Sequence, residues 1–158
     1  TMTHFQENEI LAAQRAWGDS LIDVGSVFSQ GGDHVARAKE LLASLYAYHV
    51  GPVIFKPTLA ASKQFRNTVE GALSYFVGGN DDYPEDSGFA VKPWAAVRFE
   101  NEGMVCQSDS AFAMGNYFFT DTQGQETKVE YSFAYRRGPD GEVLINLHHS
   151  SLPYSPPA

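Results

Sequence analysis

Val143-Leu144-Ile145-Asn146-Leu147-His148-His149-Ser150-Ser151-Leu152-Pro153 reads as a β-strand that begins apolar and ends on four consecutive polar side chains. Neighbours on a strand point to opposite faces, so Ile145, Leu147, His149 and Ser151 share one side and Leu144, Asn146, His148 and Ser150 the other. One His-Ser pair therefore faces the interior. Hydrophobic parity alone mildly favours the first set as the inward one. A buried imidazole beside a hydroxyl can orient water, pass a proton or bind a small anion. The plainer reading is that two histidines at a strand end solvate a sheet rim or line a subunit contact.

Working back from this run, residues 95–100, 111–120 and 128–136 are also rich in aromatic and β-branched residues. Turn chemistry separates them at Glu102-Gly103, at residues 121–124 and at residues 138–141. Links this short favour antiparallel pairing. The first third has the other period. Thr3 and Gln6 have capping-box spacing, and Ile10, Ala13, Trp17, Leu21 and Val24 recur on one helical face. Asp33 caps a second helix that buries Val35, Ala38, Leu42 and Leu45 and runs until Gly51-Pro52 stops it. Val53-Ile54-Phe55 is a short strand closed by Lys56-Pro57-Thr58. Asn67 and Glu70 open a third helix through Leu73, Tyr75 and Phe76, which ends at Gly78-Gly79. Helices followed by a strand meander predict an α+β domain, a cone-shaped, strongly curved antiparallel sheet wrapped around N-terminal helices. Polar side chains occupy the remaining hollow.

Composition describes one domain over residues 1–158, with its core at about residues 6–153 and a Pro-rich tail over residues 153–158. At 158 residues and 43% hydrophobic content, the chain buries a sizeable core unaided. No apolar run is long enough to cross a membrane. Cys106 is the single cysteine, so no intramolecular disulfide forms and a reducing compartment is expected. The formal net charge of −8, with eleven Lys and Arg in no dense cluster, argues against nucleic-acid binding. Residues 1–24 lack the pattern of an export signal. The expected location is cytoplasmic, or an organelle stroma if a presequence precedes this segment.

The ligand inventory for a metal is poor. His148 and His149 point apart, Cys106 is alone, and no His-x-His, Cys-x-x-Cys or His-Glu-x-x-His spacing occurs. No metal and no cofactor are expected. The acids Asp81-Asp82 and Glu85-Asp86 fall in a Gly- and Pro-flanked loop and read as a solvated lid rim.

Five blocks in order carry a family resemblance: Lys56-Pro57-Thr58, Ala72-Leu73-Ser74-Tyr75-Phe76-Val77-Gly78-Gly79, Glu85-Asp86-Ser87-Gly88-Phe89-Ala90, Ala113-Met114-Gly115-Asn116-Tyr117-Phe118-Phe119 and His148-His149-Ser150-Ser151-Leu152-Pro153. Together they resemble the iota-class carbonic anhydrases. The wider fold is similar to nuclear transport factor 2, ketosteroid isomerase and the association domain of the calmodulin-dependent kinases. The family usually has a third histidine before the pair, where this chain has Leu147. The resemblance implies reversible hydration of carbon dioxide to bicarbonate, with bicarbonate held by the hydroxyls of Thr58, Tyr75 and Ser150 and with His148 beside them. The aromatic runs Tyr117-Phe118-Phe119 and Tyr131-Ser132-Phe133 are expected to offer apolar surface for a homodimer through the sheet face, which the resemblance also implies.

Ser150 and His148 are preferred to Ser151 and His149 because, in the related association domain, the ligand-facing residue directly follows the corresponding histidine. Ser74 and Asn116 are candidates to support the site. His148 is placed either to relay a proton or to fix a neighbouring hydroxyl. Two other classes remain open, another small-molecule enzyme such as an isomerase or dehydratase and a noncatalytic association or ligand-binding module. The first requires an inward Asp or Glu as general base.

Overall fold

The structure is a computed structural model that describes residues 4–158. Its elements follow the order α1 (Glu7–Ser29), α2 (His34–Leu45), β1 (Ile54–Lys56), α3 (Val69–Val77), β2 (Trp94–Cys106), β3 (Ala111–Asp121), β4 (Glu126–Arg137) and β5 (Val143–Ser151). Among the described residues these five strands form one open sheet, β1-β5-β4-β3-β2. Helix α1 buries Ile10, Trp17, Leu21 and Val24 against it, as their spacing requires. The α+β architecture predicted from the sequence is the one observed.

Strands β2 to β5 are joined by short links and pair antiparallel, whereas β1 joins the edge of β5 in parallel. The parallel pairing needs a long excursion between its partners, and the whole β2–β4 meander supplies it. Glu102-Gly103 is no turn. Strand β2 runs on to Cys106, with a bulge between Asn101 and Gly103. Gly115 lies across from this bulge, where any Cβ would run into the Glu100 carbonyl.

Several predicted ends move. The first helix is capped at Gln6, whose N–H donates to Glu9 Oε1 at 3.0 Å, while Thr3 lies outside the described residues. Asp33 accepts from the Ala36 N–H as predicted, but α2 stops at Leu45 rather than at Gly51-Pro52. Tyr46 turns extended there and bridges Ile145 in the sheet, which takes it out of the helix. Helix α3 is capped by Thr68, whose side chain accepts from the Gly71 N–H. Asn67 is instead drawn to β1, accepting the Phe55 N–H at 3.3 Å. Gly78, with φ of 71°, ends the helix where the sequence placed its stop.

Candidate active site

The face that β5 turns inward is decided by one residue. Tyr135 pairs with Ile145 and Ala134 with Leu147, so Asn146 is an extra residue opposite the shift. Ile145 is inward before the bulge, and the alternation restarts one residue out of phase after it. His148 and Ser150 are consequently buried, at 2% and 1% exposure, while His149 is exposed and Ser151 only partly covered. The parity argument from the apolar residues therefore inverts at Asn146.

His148 lies between aromatic rings. It stacks on Phe55 at 4.5 Å with an interplanar angle of 9°, and the Phe133 ring is 4.3 Å away. Both of its nitrogens are engaged by tyrosines, Nδ1 with Tyr46 OH at 2.8 Å and Nε2 with Tyr117 OH at 3.0 Å. The donors along this row can be assigned from chemistry. The Trp17 indole only donates, and it donates to Tyr46 OH at 3.0 Å. Tyr46 is fully buried, so leaving its own proton without an acceptor would be costly; it donates that proton to His148 Nδ1. His148 is then the neutral Nε2–H tautomer and donates to Tyr117. Tyr117 OH meets Ser150 Oγ at 2.5 Å, and Ser150 Oγ meets Thr58 Oγ1 at 2.6 Å. Donation thus runs in one direction from Trp17 through Tyr117 to Ser150, and in the Ser150–Thr58 pair either hydroxyl can donate to the other.

Burial, then the neighbouring His149, pushes the His148 pKa well below its ordinary value. Burial likewise raises the tyrosines of the cluster, Tyr46, Tyr75 and Tyr117, and hydrogen bonds only partly oppose it. Every member of the row is therefore neutral near pH 7. Tyr75 reaches the same corner from α3, where its hydroxyl accepts the Leu59 N–H at 3.2 Å. Leu59 follows Thr58, so one short loop carries both contacts. Beside it opens a cavity of about 170 Å³, lined by Thr58, Phe89, Lys92, Trp94, Phe119 and Leu152 among others.

Thr58, Tyr75, Ser150 and His148 are thus brought together, and His149 and Ser151 are not. They lie on the outer face of the sheet, in a groove that Asn116 also lines, so Asn116 supports nothing in the hydroxyl cluster. Tyr117, Tyr46 and Trp17 belong to the cluster but were not singled out from sequence. A signal did exist: a tyrosine on the inward face of an aromatic strand must find a partner for its hydroxyl.

The reading of Glu85-Asp86 as a solvated rim is corrected at Asp86, while Glu85 stays exposed but bonded. Arg66 is buried, and its Nη1 and Nη2 donate to Asp86 Oδ2 and Oδ1 at 2.7 and 2.8 Å. Ser74 Oγ also donates to Asp86, at 2.6 Å. Glu85 accepts the N–H groups of Ala61, Ser62 and Lys63 at 2.7 to 3.1 Å, and these bonds hold its pKa down at about 2. The two acids tie the Thr58 loop to α3. Asp86, the inward carboxylate, is fully occupied by Arg66 and Ser74 and is not free to act as a base. Among the described residues no three His, Cys, Asp or Glu side chains come together to hold a metal ion.

The sequence model of a family described as metal-independent carbonic anhydrase matches residues 8–152. The chain belongs to the metal-independent carbonic anhydrases. A member from Nostoc sp. (strain PCC 7120) is 42% identical over 151 residues, covering 94% of this chain and 74% of that protein. The crystal structure of a cyanobacterial iota-carbonic anhydrase complexed with bicarbonate is 40% identical, with a TM-score of 0.94 over 97% of this chain and 95% of that one. This carbonic anhydrase also shares its fold with a calmodulin-dependent kinase II-type association domain from Xanthomonas campestris. That domain is 23% identical, with a TM-score of 0.66 over 94% of this chain and 89% of that one.

Proposed function

We propose that Thr58, Tyr75 and Ser150 bind bicarbonate and the transition state that leads to it, and that Tyr117 and His148 hold their hydroxyls in place. The reaction is the reversible hydration of carbon dioxide, and the family's description as metal-independent agrees with a site built from hydroxyls. Bicarbonate is the ligand of the cyanobacterial relative. The observation that supports the residue assignment is the row of donors from Trp17 to Ser150, whose end is bonded to Thr58 on the cavity wall.

In hydration a water oxygen bonds to the carbon, one C=O electron pair moves onto a substrate oxygen, and a proton is released. Negative charge grows on that oxygen. Donors already aimed at it in a partly dry cavity stabilise it without reorganising at the moment of reaction. His148 is not the acceptor of the released proton. Protonating Nδ1 would leave the Tyr46 hydroxyl without an acceptor, and burial opposes the imidazolium. Behind His148 the row ends in an indole N–H that accepts nothing. The proton passes to solvent water that reaches the cavity and from there to the buffer, and His148 fixes the rotors of Tyr46 and Tyr117.

Carbon dioxide hydration measured by stopped flow on protein treated exhaustively with chelator tests the reading. Activity is expected to survive. Loss on chelation, restored stoichiometrically by zinc or manganese, overturns it.

The enzyme also forms a homodimer through the outer sheet face on this reading. Tyr117, Phe119, Tyr131 and Phe133 point inward, so the apolar surface there comes from other residues, with Phe112 and Met114 exposed at 44% and 59%. A second copy is the partner such a face fits.

A further inference from the structure

The Lys56-Pro57-Thr58 run places a cation against the backbone of the hydroxyl cluster, its side chain bordering a groove that Phe55, Ser132, His148 and His149 also line. β1 pairs with β5 up to Lys56 opposite His149, and Pro57 brings no N–H with which to continue the ladder. The Ser150 carbonyl accepts instead from Lys56 Nζ, at 3.1 Å. Lys56 is partly buried, and among the described residues no carboxylate lies within ion-pairing distance of it. Arg66 is matched by Asp86, Arg137 by Glu9 and Arg37 by Asp23, whereas the partly buried Arg136, like Lys56, reaches backbone carbonyls, those of Val50 and Arg137. Lys56 stands without such a match beside a group of hydroxyls that carry no charge of their own.

We infer that Lys56 is a positioning residue for the reaction, whose ammonium fixes the backbone of Ser150 and sets positive potential where the anionic substrate oxygen develops. This rests on the hydroxyl-site reading above. The chemistry asks for such a charge, because hydration turns a neutral substrate into an anion in a protein with a formal net charge of −8. A metal-free site has no ion to supply the potential. An uncompensated ammonium in a partly desolvated place acts at longer range than a hydroxyl and needs no contact with the substrate. The residue also explains why the strand can end at proline: Pro57 releases the chain so that Thr58 turns toward Ser150, and the lysine satisfies the carbonyl left behind.

The test compares Lys56→Met, Lys56→Arg and Ser150→Ala by stopped-flow kinetics in both directions, with melting temperature and ¹³C NMR binding of bicarbonate alongside. Lys56→Met is expected to lower kcat/KM by about tenfold or more, the scale of losing a charged hydrogen bond. The factor must be equal in hydration and dehydration, since the overall equilibrium is unchanged. Bicarbonate binding should weaken in parallel at nearly unchanged melting temperature, and Lys56→Arg should recover most of both losses. Lys56→Met within twofold of the parent, or Lys56→Arg no better than Lys56→Met, overturns the inference. Ser150→Ala separates it from the underlying reading: an inactive Ser150→Ala with a fully active Lys56→Met removes only the role of Lys56, whereas a fully active Ser150→Ala removes the site itself. If methionine disrupts the strand end, Lys56→Gln is read by the same measurements.

Discussion

Ser150 and Ser151 are chemically identical neighbours in opposite environments. Ser150 bonds to Thr58 and Tyr117, while Ser151 borders the groove on the outer face. Ser150→Ala is expected to keep the fold and lose roughly 2.7–4 kcal/mol of transition-state stabilisation, a hundredfold or more in kcat, as for an oxyanion donor. Ser151→Ala is expected to stay near the parent rate. Equal activity in the two variants would reject the assignment. His148 makes a separate prediction about pH. Its folded pKa is depressed by burial, so below the ordinary histidine value near 6.5 the unfolded chain binds a proton that the folded chain refuses. Stability contributed by the neutral imidazole is therefore present above that value and is lost as pH falls below it, by up to about 1.4 kcal/mol per pH unit. Denaturant titrations from pH 7 to pH 5 should show this slope in the parent and a shallower one in His148→Gln. The same slope in both would place its origin elsewhere.

At the scale of elements, the site depends on a loop clipped from behind. Phe89 and Ala90 donate their N–H groups to the Tyr75 and Phe76 carbonyls at 2.9 Å, which docks the acidic segment on α3. From there Asp86 holds Arg66 and Glu85 holds residues 61–63, so the Thr58 loop is fixed at both ends. The Arg66–Asp86 side chains are 0% and 2% exposed. Removing Asp86 leaves the buried Arg66 with only the more distant Glu85 carboxylate at 3.7 Å, and Asp86→Ala is expected to destabilise the enzyme by about 3 kcal/mol. Glu126→Ala, which breaks the exposed pair with Arg98, should cost no more than about 1 kcal/mol. Urea unfolding of the two variants checks the contrast; similar losses would contradict it. These anchors were hard to see in the sequence. Adjacent acids between glycine and proline look solvated, and only the path of the chain brings Arg66 back to them.

Across the whole molecule the sheet sends Tyr117, Phe119, Tyr131, Phe133 and Tyr135 inward, and the outer face carries Phe112 and Met114 in the open. Light scattering at micromolar concentration should give the mass of a dimer, and Met114→Lys should shift it toward the monomer while leaving hydration at the hydroxyl site intact. A monomeric parent would refute the proposed assembly. The sequence by itself determined the kind of each element, because the helical and strand periods, the Asp33 cap and the Gly78 stop are local in their physics. It also offered Thr58, Tyr75 and the His-Ser pairs as candidates for the site, through motifs that stay together along the chain. Only the tertiary structure decided which His-Ser pair is inward, since the bulge at Asn146 exists by virtue of its register with Ala134 and Tyr135. It alone brought Trp17, Tyr46 and Tyr117 to His148 and laid β1 parallel on β5. Those facts depend on pairings between residues far apart in sequence, which no local period encodes.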